Sequence, residues 1–255
     1  MQGTIEKRGS IGVVWIDNPP VNAISHAVRE GLMSALAISA ADDDIKALVL
    51  ACRGRTFMAG ADITEFATGP KPPGLGEVID ALSTSPKLIV AALFGTTLGG
   101  GFEVALGCNY RIATATTKIG LPEVKLGIIP GAQGTQRLPR LAGADFALKL
   151  ITSGNPASAS EALESGAIDR IAEGDIVDAA VSYAEELIAS NAPMKRTQEM
   201  ALDAGQYNDD YFEAFRKSNL RKTRGAHAPE RGIQAVMAAV NLPFEDGVKR
   251  ERELM

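Results

Sequence analysis

The sequence predicts an α/β protein that turns all-α toward its C-terminal side. Three observations carry that prediction. Short, continuously apolar segments recur early: IGVVWI (11–16), ALVLAC (47–52), PKLIVAALF (86–94) and YRIAT (110–114). Helical patterns intervene between them, and strands alternating with helices imply parallel pairing. After about residue 140 only amphipathic helical patterns remain.

Taken in order, MQGTIEKRGS is polar and leads into the first strand, with no apolar run of signal-peptide type. IGVVWI is β-branched and ends at Asn18-Pro19-Pro20, which breaks it. Ser25 suits the N-cap of a helix running to about Ala40, with Val28, Leu32, Ala35 and Leu36 on one face. ALVLAC is apolar without alternation, as in a strand buried on both faces. Helices follow near 76–84 and 100–108. The later helices are expected at 143–153, 158–165, 175–190, 193–204, 208–222 and 229–240. Ser158 and Glu161 form a capping box. TGPKPPG (68–74) reads as a loop. The organisation expected is a core over 1–192 that carries the site, followed by a helical segment over 193–255.

Composition narrows the function classes. The 255 residues are 45% hydrophobic and 22% charged, ordinary for a globular protein with a sizeable core. A net charge of −5 argues against nucleic acid as a partner. No run approaches the ~20 apolar residues of a membrane span, so no membrane partner is expected. Cys52 and Cys108, both in apolar runs, fit a reducing compartment, and a cytoplasmic location follows. Two histidines and no CxxC leave a metal site without support.

Three glycine-bearing stretches invite chemistry: FMAGADI (57–63), LGGGFE (98–103) and LPEVKLGIIPGAQGTQRL (121–138). None is a nucleotide motif. Glycines at a strand-to-helix junction let a ligand approach backbone N–H groups, and two such groups hold a developing oxyanion. Glu103 and Glu123 lie 20 residues apart, each flanked by apolar residues. Burial raises a carboxyl pKa and a neighbouring carboxylate raises it further, so the pair suits a proton donor and a base. Two plainer readings stand beside this one: Glu103 pairs with a cation such as Arg111, or Pro122-Glu123 simply favours a helix dipole. Ser25 and His26 are adjacent on one helix and diverge, so they form no triad. Asp42, Asp43 and Asp44 read as a solvated loop. Arg216, Lys217, Arg221, Lys222 and Arg224 read as a solvated face, with anion contact as the other reading.

Taken together and in order, FMAGADI, ALFGTTLGGGFEVALGCNYRIAT and KIGLPEVKLGIIPGAQGTQRL resemble the enoyl-CoA hydratase/isomerase (crotonase) superfamily. The resemblance runs from IGVVWIDNPPVNAIS to LITSGNPASASEALESGAID. It is narrowest toward the N-terminal hydratase/isomerase module of multifunctional fatty-acid β-oxidation enzymes, through NPPVNA, LITSG and PFEDGVKRERELM. It implies a spiral of ββα turns followed by C-terminal helices. It implies an acyl-CoA thioester substrate, with coenzyme A part of the substrate and no separate cofactor. Its oxyanion donors map to Ala61 and Gly100, and its two water-flanking glutamates to Glu103 and Glu123. Val21, Ala23, Ala59, Asp62, Ile63, Leu98, Gly99 and Pro122 map to the substrate and CoA contacts. The resemblance implies either a homotrimer or hexamer, or fusion to a 3-hydroxyacyl-CoA dehydrogenase portion. Two lysines common in single-domain hydratases are missing, with Thr64 at the second place. Arg53, Arg55, Lys249 and Arg250 are then the candidate cations for the CoA phosphates. Within the resemblance, hydration of 2-enoyl-CoA is the leading activity, Δ3-Δ2 isomerisation or other acyl-CoA chemistry the second, and a non-catalytic binding module the last.

Overall fold

The computed structural model describes residues 2–62, 65, 69, 71–219 and 226–255. Its centre is a six-stranded sheet in the order β1 (Thr4–Arg8), β2 (Ile11–Ile16), β3 (Ala47–Cys52), β4 (Leu88–Leu93), β6 (Tyr110–Thr114), β9 (Arg170–Ala172). Among the described residues of this sheet only the β1–β2 hairpin is antiparallel, and it is the one edge that the polar N-terminal stretch conceals from pattern reading. In β2, β3 and β4 alternate residues go to opposite faces. Val14, Ile16, Leu48, Leu50, Ile89 and Ala91 join the larger core, while Val13, Trp15, Val49, Ala51, Val90 and Ala92 join the smaller one. Burial on both faces explains why these strands carry no polar alternation.

Helix α6 (Ile176–Ala189) covers the smaller core with Val177, Ala180, Tyr183, Ala184 and Leu187. Helices α1 (His26–Ala41), α2 (Leu75–Ser83) and α3 (Gly100–Gly107) contribute to the larger core, as does α4 (Gly134–Ser153). Ser25 caps α1 by accepting from Val28 N–H, and Ser158 with Glu161 forms the expected capping box on α5 (Ala159–Ser165). Beyond α6 lie α7 (Asp209–Asn219), α8 (His227–Asn241) and α9 (Phe244–Leu254), with α8 packed on α4 and α9 on α8. Among the described residues no helix is long and apolar enough to cross a membrane.

A second, three-stranded sheet decides the site. It pairs β5 (Thr96–Leu98) in parallel with β7 (Lys118–Gly120), and β7 with β8 (Ala157–Ser158). These strands are too short to leave a period in the sequence.

Two helix expectations need correction. Residues 193–204 form no α-helix; only Thr197–Glu199 makes a 3-10 turn. Their polar groups are engaged elsewhere: Tyr110 Oη donates to Pro193 O, Asn109 to Lys195 O, and Arg137 to Thr197 Oγ1 and Gln198 Oε1. The helix expected at 143–153 begins at Gly134 instead and bends at Gly143 (φ 82°). Pro139 and the buried polar residues Gln136, Arg137 and Arg140 break the apolar stripe of its first half. Residues 68 and 70 of TGPKPPG, and 220–225 at the end of the basic segment, lie outside the described residues.

Candidate functional site

The parallel β5–β7 pairing brings the two glutamates together. Leu98 pairs with Gly120, and Gly99 N–H donates to Gly120 O at 2.9 Å. The chain leaves β5 through Gly99 into α3, which carries Glu103. It leaves β7 into the 3-10 turn Pro122–Leu126, which carries Glu123. Pro122 opens that turn, where its missing N–H costs nothing. Gly99 has φ 55°, and a Cβ there would stand 2.9 Å from Glu123 Oε1. Only glycine meets both demands.

Glu103 is buried, and its Oε1 accepts from the N–H groups of Ala132 (2.9 Å) and Gly134 (2.8 Å). It does not pair with Arg111. That guanidinium, itself buried, goes to Asp169 at 3.3 Å and to the carbonyls of Ala105, Cys108, Asn109 and Ala167. Burial pushes the Glu103 carboxyl up to about 7, against the pull of the two N–H groups and of the Arg137 guanidinium. Burial, and then the charges of Glu103 and Glu251, push Glu123 up to about 8. The buried Glu123 Oε2 meets no hydrogen-bond donor among the described residues. The result is a pair of carboxyls that do not both ionise readily at neutral pH, with one acceptor left open.

Two further backbone donors come together at the head of α3. Segment 57–62 runs between the turn after β2 and β5. Ala59 N–H donates to Val21 O, Ile24 N–H to Gly60 O, Asp62 N–H to Ile24 O, and Leu98 N–H to Met58 O. In such a parallel bridge the residues flanking Ala61 make the bonds to Ile24, so Ala61's own N–H points the opposite way. A Cβ built on Gly100 would come 3.5 Å from Ala61 N, so the two backbones are adjacent. Gly100 opens α3, where an N–H has no intrahelical acceptor.

Several of the residues singled out from sequence lie on these joined segments. Val21, Ala23 and Ala59 lie along the bridged turn, with Asp62 beyond Ala61 and Leu98 on β5. Gly99 and Pro122 sit at the heads of α3 and the 3-10 turn. Ile63 and Thr64 lie outside the described residues. Among the candidate phosphate cations, Arg53 stacks 3.4 Å over the Trp15 ring, while Lys249 and Arg250 pair with Asp246 and Glu253 on their own helix.

Sequence reasoning missed two members. Asn22 (φ 53°) is a buried latch: its amide donates to Arg53 O and Thr56 O, and it accepts from Asn18 N–H. Glu251, wholly buried on α9, accepts from Gln133 N–H and Thr135 N–H. Its signal was available: Val248, Glu251 and Leu254 share the buried stripe of α9, and a carboxylate on an apolar stripe calls for partners.

The family model for enoyl-CoA hydratase/isomerase matches residues 6–246. The chain belongs to that family. It is 42% identical over 246 residues to the peroxisomal bifunctional enzyme of Danio rerio, covering 96% of this chain and 34% of the relative. It is also 42% identical over 234 residues to a probable enoyl-CoA hydratase of Bacillus subtilis, covering 83% of this chain and 91% of the relative. Among solved structures, Pseudomonas aeruginosa DspI superposes with a TM-score of 0.69 at 30% identity, covering 91% and 93% of the two chains. The α/β architecture and the family resemblance read from the motifs are borne out. The chain spans about a third of the length of the bifunctional relatives it matches.

Proposed function

We propose that this enoyl-CoA hydratase/isomerase family member adds water across the C2=C3 bond of trans-2-enoyl-CoA thioesters. Glu103, its Oε1 held by two N–H groups, orients a water against C3 and takes its proton as the C3–O bond forms. The π electrons move through C2 onto the thioester oxygen. The Ala61 and Gly100 N–H groups stabilise that developing oxyanion, an effect that grows in a water-poor site. Glu123, protonated at neutral pH, then delivers its proton to C2 and leaves 3-hydroxyacyl-CoA. The observation that carries this reading is the adjacency of the buried Glu103 and the half-buried Glu123, both with raised pKa values, the second with a buried, unpartnered oxygen.

Isomerisation needs less of the machinery. With a 3-enoyl-CoA bound, Glu123 in its ionised form alone removes a C2 proton and returns it at C4, which moves the double bond to C2=C3. No resident cofactor enters either scheme; coenzyme A arrives with the substrate, and an arginine such as Arg53 would meet its phosphates. The buried free thiols of Cys52 and Cys108 suit a reducing, cytoplasmic setting. The length of the bifunctional relatives supports function as a module fused to a 3-hydroxyacyl-CoA dehydrogenase portion. A homotrimer or hexamer is the alternative assembly, and sedimentation separates the two.

The test follows the loss of conjugated-enone absorbance of crotonyl-CoA. The protein should consume it, and Glu123→Gln should slow turnover by about 10²–10⁴-fold, the range for losing a general acid. Near-normal turnover in that variant would remove Glu123 from the reaction.

A further inference from the structure

Four consecutive backbone N–H groups at the head of α4 go alternately to two carboxylates. Ala132 and Gly134 donate to Glu103 Oε1, at 2.9 and 2.8 Å. Gln133 donates to Glu251 Oε1 at 2.8 Å, and Thr135 donates to Glu251 Oε2 at 3.1 Å from its N–H and 2.5 Å from its hydroxyl. Gln133 takes a left-handed conformation (φ 78°) within this run. The loop is therefore a strap stretched between α3 and α9. Its fit on the Glu103 side is close: a Cβ on Gly134 would stand 2.7 Å from Glu103 Oε1.

We infer that Glu251 is a positioning residue for hydration: it anchors the 132–135 strap from the C-terminal helix, so that the strap's other two N–H groups fix the Glu103 carboxylate. The inference rests on Glu103 as the carboxylate that orients the water. Fixing one oxygen by two donors leaves the second with a defined direction toward the incoming water, and reaction geometry of this kind is sensitive to shifts of about 1 Å. A plain helix cap would need only the head of α4. Here the same loop serves two carboxylates on different helices, so a loss at one end is transmitted to the other.

Glu251→Gln is the sharpest probe. It keeps the shape but replaces one acceptor by a donor, and either Gln133 N–H or Thr135 N–H then loses its partner. Leu254→Ala is the control: Leu254 is on the same buried face of α9, packs with Ile129 and Ala235, and takes no part in the strap. Hydration of crotonyl-CoA is measured for both variants and for Glu103→Gln, alongside thermal midpoints. Positioning predicts that Glu251→Gln lowers kcat by at least about tenfold with KM within about threefold. Leu254→Ala should lower the thermal midpoint by as much or more and keep kcat.

Unchanged kcat in Glu251→Gln, with Glu103→Gln inactive, overturns the inference alone. So does an equal loss of kcat in both α9 variants at matched midpoints, because α9 would then only brace the fold. Normal hydration by Glu103→Gln overturns the reading of the site, and the inference falls with it.

Discussion

Two buried clusters in this chain handle carboxylates in opposite ways. At the end of the main sheet, Asp169 is met on Oδ2 by Arg111 N–H and its guanidinium and on Oδ1 by Lys195, and Arg111 is saturated by backbone carbonyls. At the heads of α3, the 3-10 turn and α4, the buried Glu103 and Glu251 lie close to the half-buried Glu123. Their partners are mainly backbone N–H groups; burial raises all three above the ordinary carboxylate range, and the charge of Glu103 raises Glu123 and Glu251 further. A carboxylate held between cations braces structure. Carboxyls buried against one another keep a proton available near neutral pH, which is what proton transfer needs.

That contrast can be broken experimentally. The largest effect should come from Glu103→Gln, which removes the water-activating group and should cut hydration by about 10²–10⁴-fold. If 3-enoyl-CoA is also a substrate, its isomerisation should survive. Equal loss of both activities would deny the glutamates separate roles. Asp169→Asn attacks the other cluster: leaving a buried guanidinium unmatched should cost about 3–5 kcal/mol in denaturant unfolding. Crotonyl-CoA turnover by the folded variant should change little. A large kinetic loss with intact stability would place Asp169 in the reaction.

Gly134→Ala should fall between the clusters in effect. Its Cβ meets Glu103 Oε1 at 2.7 Å, a carboxylate with little room to move. We expect kcat to fall by about tenfold or more, with KM nearly unchanged. The smallest effect is a gain. Glu123 has an ordinary value of 4.5 and is raised to about 8 in the folded chain. The folded state thus binds more protons than the unfolded between those values, and stability falls as pH rises through that window. Glu123→Gln lacks this loss. Its thermal midpoint should exceed the parent's by a few degrees above pH 8, at about 2–4 °C per kcal/mol, and the gap should close toward pH 4.

The legibility of this molecule follows the range of the forces involved. Strands β2, β3, β4 and β6 were readable because double-sided burial leaves unbroken apolar runs. Helix α1 and the α5 capping box were readable because their signals lie within one turn. Helix α4 was half hidden, since Gln136, Arg137 and Arg140 are buried through hydrogen bonds made to distant residues and spoil its apolar stripe. Residues 193–204 carry a helical pattern, but their polar groups serve Tyr110, Asn109 and Arg137 instead. In the site, Glu103 and Glu123 were legible as carboxylates in apolar surroundings, and Gly99 as a junction glycine.

By itself the sequence determined the apolar strands, the glycine-lined junctions and the two glutamates of the motifs, because each depends on neighbours a few residues away. Only the tertiary structure decided that Glu103 turns from Arg111 to the Ala132 and Gly134 N–H groups, and that Glu251 reaches the same loop from the far end of the chain. Both outcomes are set by which buried donor finds which acceptor, and that matching is made when the sheets, α4 and α9 close over one another.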